Sequence, residues 1–230
     1  MSAETLAPIF AKEAYNMLGS KSKDKRIDII NQNIAHTGYK AVPEHSNRDI
    51  LTLDNGTHRY IAHRGTSADD KHKAKDDIMA DLTFAFGKEK HDKSLKKRRN
   101  ITNNIINATS PDKKIILTGH SLGGGTSAFA MEKKSIRDRV DQLHTYNPAI
   151  SPFTKAPGKK IVKELNEKVT HHRVEGDIVS ASSKPTFGKV KTYKAQQNNL
   201  HKKIPKNLSK VLSSLNVLNN HSLNNFIIPK

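Results

Sequence analysis

The sequence predicts an α/β fold, a mostly parallel central sheet flanked by helices on both faces. Three observations predict it. Apolar runs of strand length alternate with stretches of helical period. The most informative run, Lys114 to Thr118, reads as a buried strand and leads straight into a glycine-rich turn and then a helical stretch. The chain has 230 residues, enough to bury a core without cross-links, and it contains no cysteine. A single domain over 1–230 is the expectation.

Taken in order, residues 4–18 place Leu6, Ile9, Phe10, Ala14, Met17 and Leu18 at helical spacing, which predicts an opening amphipathic helix. Gly19 stops it, and the charged run from Ser20 to Arg26 reads as a loop. Ile27 to Ile34 is a second apolar-periodic piece. Ile50, Leu51 and Leu53, then Asp54-Asn55-Gly56, then Tyr60, Ile61 and Ala62 spell a hairpin around a turn that needs positive φ. Residues 67–77 are almost wholly polar. Residues 93–109 predict a basic-faced helix with Leu95, Ile101, Ile105 and Ile106 inward. After the Lys114–Thr118 strand, Gly119 to Gly125 reads as a turn and Thr126 to Lys134 as a helix. Strands follow at 140–146, 169–175 and 188–194, and 207–218 is amphipathic.

Composition removes several functions. Without cysteine there is no disulfide framework, no Cys-ligated metal and no Cys nucleophile. No stretch reaches the length of a membrane span, and the start MSAETLAPIF lacks the basic and apolar regions of a secretory signal. A cytoplasmic or membrane-peripheral location is the expectation. Lys plus Arg is 40 against 22 Asp plus Glu, a net charge of +18. That charge suits an anionic partner or a generally solvated basic surface. Lysine, the less specific phosphate reader, supplies 31 of the 40. Aromatic residues are only 5%, too few for the stacking platforms of single-strand binding, so nucleic acid is disfavoured. No cofactor or metal is expected. His171 and His172 adjoin on a strand and point to opposite faces. Asp69-Asp70 and Asp76-Asp77 lie in a solvated charged segment.

Gly119-His120-Ser121-Leu122-Gly123 is a G-x-S-x-G sequence between a strand and a helix. A serine on so sharp a turn projects its Oγ above the sheet. The residues two before and two after it must be tiny, because the backbone arms nearly touch. The helix that follows aims its free N–H groups at a reacting oxygen. The competing reading is a glycine-rich loop that binds phosphate through its N–H groups, but no P-loop lysine follows.

These residues resemble the class 3 (fungal-type) lipase family of the α/β-hydrolase fold. Ile116 to Gly124 resembles that family's elbow, including the histidine before the serine. Tyr60 to Ser67, with Arg64-Gly65-Thr66-Ser67, is similar to its F-R-G-T/S-x-S strand end. Ile78 to Phe84 resembles its W-x-x-D-L element, and His144 to Pro148 its T-F-G-x-P strand. Gly176 to Val179 is similar to its D-x-V loop, and His221 to Phe226 to its H-x-x-x-Y ending. The resemblance implies a serine carboxylic-ester hydrolase acting on acyl lipids. Ser121 would be the nucleophile, Asp177 the acid and His221 the base, with His201 the rival base. The oxyanion hole would be the N–H groups of Thr66 and Leu122. His120, Arg64 and Asp81 read as structural.

The departures bear on substrate. The segment from Ser67 to Asp77 stands where the family has a short apolar lid, and it is rich in Lys and Asp without an aromatic residue. Such a segment favours an anionic membrane surface over a neutral oil droplet. His63 stands for the family's aromatic residue before Arg-Gly, and Phe226 for its closing tyrosine. The expected partner is an acyl lipid or ester. A non-catalytic lipid- or partner-binding member of the same fold is the alternative.

Overall fold

The computed structural model describes residues 1–66, 89–150, 158–181, 185–195 and 220–227. Among them the elements run, in order, α1 (Ala3–Glu13), a 3-10 turn (Ala14–Met17), α2 (Lys23–Ile34), β1 (Lys40–Ala41), β2 (Ile50–Asp54) and β3 (His58–His63). Then follow α3 (Glu89–Asn107), β4 (Lys114–His120), α4 (Leu122–Ala130), α5 (Lys134–Arg139), β5 (Gln142–Tyr146) and α6 (Lys159–Lys168). β6 (Val169–Val174), α7 (Ile178–Ala181), β7 (Lys189–Tyr193) and a 3-10 turn (Leu223–Phe226) follow.

The strands form one seven-stranded sheet in sequence order. β1, β2 and β3 pair antiparallel. From β3 to β7 every pair is parallel. The α/β class with a mostly parallel sheet is therefore as the sequence predicts. Strand side chains alternate between faces, so adjacent apolar residues feed two cores. Leu51, Tyr60 and Ile116 meet Leu6, Phe10, Ile30 and Ile34 of α1 and α2 on one face. Ile50, Ile61, Ile115 and Leu117 meet Ile105, Ile106, Ala128 and Leu165 on the other. Parallel strands are normally covered on both sides, as β3 to β6 are here, while the edge strand β7 stays largely exposed.

The hairpin forms with Ile50 opposite His63 and Gly56 at φ 93°. Other boundaries differ from the sequence reading. The opening helix stops at Glu13 and tightens into the 3-10 turn before Gly19 at φ 112°. Within α1, Pro8 has no N–H for the carbonyl of Glu4, four residues back. The hydroxyl of Tyr146 donates to that carbonyl at 3.4 Å. The charged run 20–26 is not all loop, since α2 begins at Lys23. Ser22 caps it by accepting from the Lys25 N–H, and Asp24 suits the first turn. α3 spans Glu89–Asn107 where 93–109 was expected.

The largest correction is at the elbow. β4 runs on to His120, and α4 begins at Leu122 and ends at Ala130. Its three glycines lie inside the helix, against their propensity. Tertiary contact overrides it. A Cβ at Gly125 would stand 1.9 Å from the carbonyl oxygen of Ala149, and one at Gly124 would stand 3.0 Å from Pro148. Among the described residues no helix is long and apolar enough to cross a membrane.

Candidate active site

The carboxyl ends of the parallel strands carry three of the described site residues, and His221 comes to them from the 220–227 segment. Thr66 follows β3, Ser121 follows β4, and Asp177 follows β6. Pairing of His63 with Gly119 and of His120 with Tyr146 keeps the ends of β3, β4 and β5 level. This is where open α/β sheets place their ligands.

Ser121 sits at φ 55° and ψ −127°, a conformation that L residues avoid. It is held there from both sides. Its N–H donates to the Tyr146 carbonyl at 3.0 Å, and its carbonyl accepts from the Ala149 N–H at 2.9 Å. The tiny neighbours are required as the sequence predicts. A Cβ at Gly119 would stand 2.4 Å from the Gly123 carbonyl carbon, and one at Gly123 would stand 2.1 Å from the His63 carbonyl oxygen. Leu122 is the first residue of α4, so its N–H has no intrahelical acceptor. Gly65, just beyond β3, presses on the elbow. A Cβ there would stand 2.6 Å from the His120 carbonyl oxygen, which sets exposed Thr66 beside the turn.

Asp177 and His221 are joined. The Nδ1–H of His221 donates to Asp177 Oδ1 at 2.8 Å. Asp177 is 1% exposed and its other oxygen accepts from the Ser180 N–H at 2.8 Å. Burial pushes this carboxyl up, but the hydrogen bonds and charge of His221 and the bonds of Ser180 outweigh it and hold it below the usual carboxylate range. An ionised carboxylate only accepts, so the imidazole proton is fixed on Nδ1. The basic lone pair is then on Nε2, which is buried with no hydrogen-bond partner among the described residues. The three predicted groups therefore stand as a bonded Asp177–His221 pair next to the Ser121 elbow. Among the described residues no hydrogen bond joins Ser121 Oγ to His221 Nε2.

His120 ties the elbow to the base. Its ring lies 4.6 Å from that of His221, centroid to centroid. Its Nε2–H donates to the main-chain oxygen of His221 at 2.6 Å. Its Nδ1 accepts from the Tyr15 hydroxyl at 2.8 Å. Burial and the neighbouring His221 push the His120 imidazole down to about 3, so it stays neutral. Arg64 is structural, as the sequence reading has it. Its guanidinium donates to the Gly65 carbonyl at 2.7 Å and pairs with Asp49 at 3.3 Å. Arg98 joins the same Asp49 at 2.7 Å and donates to the Arg64 carbonyl at 2.8 Å, so the segment before Thr66 is braced from two directions.

The departures acquire partners. His63 is fully buried, with Nδ1 2.7 Å from the Ser127 hydroxyl and Nε2 2.7 Å from that of Thr102. Two hydroxyls thus satisfy a polar ring at a position where an aromatic one would need none. Phe226 packs on Tyr146 and Tyr193, with centroids at 5.0 and 5.5 Å. His171 bonds Thr145 and the Phe187 carbonyl, whereas His172 bonds His144 and Tyr193, so the pair does face opposite ways. Among the described residues no group of three or more metal-binding side chains comes together. The lid segment Ser67 to Asp77, the element Ile78 to Phe84 with Asp81, the rival base His201 and the stretch 207–218 lie outside the described residues.

Sequence reasoning missed two residues, Tyr15 and Asn147. Tyr15 gives no local signal, because its partner is 105 residues away. Asn147 had only a weak one: asparagine is among the non-glycine residues most often found at positive φ. Its φ is 40°.

No protein-family model matches the chain, and neither does any curated protein. Among solved structures the chain is similar to a lipase from Rhizopus microsporus var. chinensis. The identity is 15% and the TM-score 0.49, over 96% of this chain and 83% of the lipase. At that level the likeness assigns no role to any residue here.

Proposed function

We propose that this chain is a serine carboxylic-ester hydrolase acting on acyl lipids, a single class 3 lipase-like domain of the α/β-hydrolase fold. One observation carries the reading: a carboxylate-bound histidine offers a buried Nε2, without a partner among the described residues, beside a serine held in a strained elbow. Ser121 Oγ attacks the acyl carbonyl carbon as its proton passes to His221 Nε2. The Leu122 and Thr66 N–H groups receive the charge that develops on the carbonyl oxygen. As the tetrahedral centre collapses, its bond to the leaving alkoxide breaks and His221 returns the proton to that oxygen. Water, deprotonated by His221, then releases the acid and restores Ser121. Asp177 holds the imidazole tautomer and stabilises the imidazolium. The +18 charge suits an anionic lipid surface, with the enzyme acting as a peripheral protein.

A second reading, a non-catalytic lipid- or partner-binding protein, is favoured by the missing hydrogen bond between Ser121 and His221. A fluorophosphonate probe separates the two. The catalytic reading expects labelling of Ser121 in native protein and none after denaturation. Equal absence of label in both would support the binder. A C2–C16 p-nitrophenyl ester series, with and without anionic vesicles, then assigns the acyl preference.

A further inference from the structure

Asn147 is the one described non-glycine residue besides Ser121 with positive φ, and it is fully buried. Its side-chain amide has a donor end and an acceptor end, and each meets a different part of the site. Nδ2–H donates to the Asn220 carbonyl at 2.8 Å, one residue before His221. Oδ1 accepts from the Val174 N–H at 2.9 Å, three residues before Asp177. Its own N–H donates to the His172 carbonyl at 2.8 Å. Its chain neighbours Tyr146 and Ala149 make the two backbone bonds that hold Ser121.

From this geometry we infer that Asn147 is a positioning residue, whose side chain sets the base-bearing segment against the acid-bearing strand at the elbow. The inference rests on the hydrolase reading, and it uses a residue that touches no substrate. The left-handed backbone is what aims the amide at both segments. A glycine would take that backbone at less cost but would make neither side-chain bond. The carbonyls of Asn220 and His221, consecutive in the chain, are then both held by buried donors, Asn147 just after β5 and His120 at the end of β4. Displacing a base by even about 1 Å can cost on the order of 100-fold in rate.

The test compares wild type, Asn147→Gly, Asn147→Asp and Ser121→Ala. Asn147→Gly removes both side-chain bonds while easing the backbone. Asn147→Asp keeps the acceptor for Val174 and puts an oxygen against the Asn220 carbonyl. Each is measured for kcat and KM on a soluble p-nitrophenyl ester, for Tm, and for the downfield proton resonance of the Asp177–His221 bond. The expected result is folded Asn147→Gly with kcat lower by about 10- to 100-fold. KM should stay within about two-fold, and the downfield resonance should weaken or broaden. Asn147→Asp should show the same loss, and it decides the matter if the glycine variant does not fold. Unchanged kcat and an unchanged resonance in a folded variant would overturn the inference. If wild type shows no Ser121-dependent turnover, the hydrolase reading fails separately. The resonance then decides alone whether Asn147 positions His221.

Discussion

His120 Nε2 lies 2.6 Å from the main-chain oxygen of His221, so the residue before the proposed nucleophile holds the residue proposed as base. The bond fixes His120 as the Nε2–H tautomer, which leaves Nδ1 to accept from Tyr15. Tyr15→Phe removes that donor and leaves a buried nitrogen unsatisfied, at about 1–3 kcal/mol. Melting should fall by roughly 2–4 °C per kcal/mol. His120→Ala removes both bonds and should also lower kcat by about 10-fold or more at nearly constant KM. Thermal scans and steady-state kinetics on the two variants check this. An unchanged kcat in folded His120→Ala would show that the bond does no positioning.

Asp177→Asn should leave the fold intact, because an amide oxygen can still accept from Ser180. It can no longer enforce the Nδ1–H tautomer of His221. The expected loss in kcat is on the order of 10⁴. A loss of less than about 10-fold in single-turnover kinetics would mean that the pair is structural.

Acid should unfold this protein early. Burial pushes His63, His120 and His172 down to about 3 and His144 and His171 down to about 4. Unfolded, each titrates near 6.5. Below that pH the unfolded chain takes up protons that the folded chain refuses. Stability is therefore complete above about pH 6.5 and falls as pH drops toward the folded values, by about 2 kcal/mol per histidine at pH 5. Five such groups reach the scale of a whole domain's stability, about 5–15 kcal/mol. Tm should be nearly flat above about pH 7 and should drop steeply between about pH 6.5 and 5. A Tm that holds constant down to pH 5 would contradict the buried neutral histidines.

Gly123→Ala should abolish soluble folded protein or cost several kcal/mol, because its Cβ would stand 2.1 Å from a backbone oxygen that cannot swing away. Circular dichroism and melting of the purified variant decide it. A variant as stable as wild type would mean that the elbow is looser than described.

The elbow was legible in the sequence because its physics is local. A strand, two tiny flanking residues and a helix dictate Ser121 almost by themselves. The Asp177–His221 pair was legible only through chain order and a resemblance, because 44 residues separate the partners. The start of α4 was misread for a physical reason. Gly123 to Gly125 argue against a helix by propensity, and only the packing of the His63 backbone against Gly123 and of Pro148 and Ala149 against Gly124 and Gly125 explains why they are there. The roles of Tyr15 and Asn147 were not legible, beyond the tolerance of asparagine for positive φ, because they exist only once the α1 region, the end of β5 and the segment at 220–221 have converged.

The central claim is that Ser121 is a nucleophile served by His221. The most direct measurement is hydrolysis of a soluble short-chain p-nitrophenyl ester by wild type and by Ser121→Ala, with folding of both confirmed. The account predicts steady turnover by wild type and a loss of at least about 10³-fold in the variant. Equal rates in the two proteins, or no turnover by folded wild type on any ester with or without anionic vesicles, would contradict it.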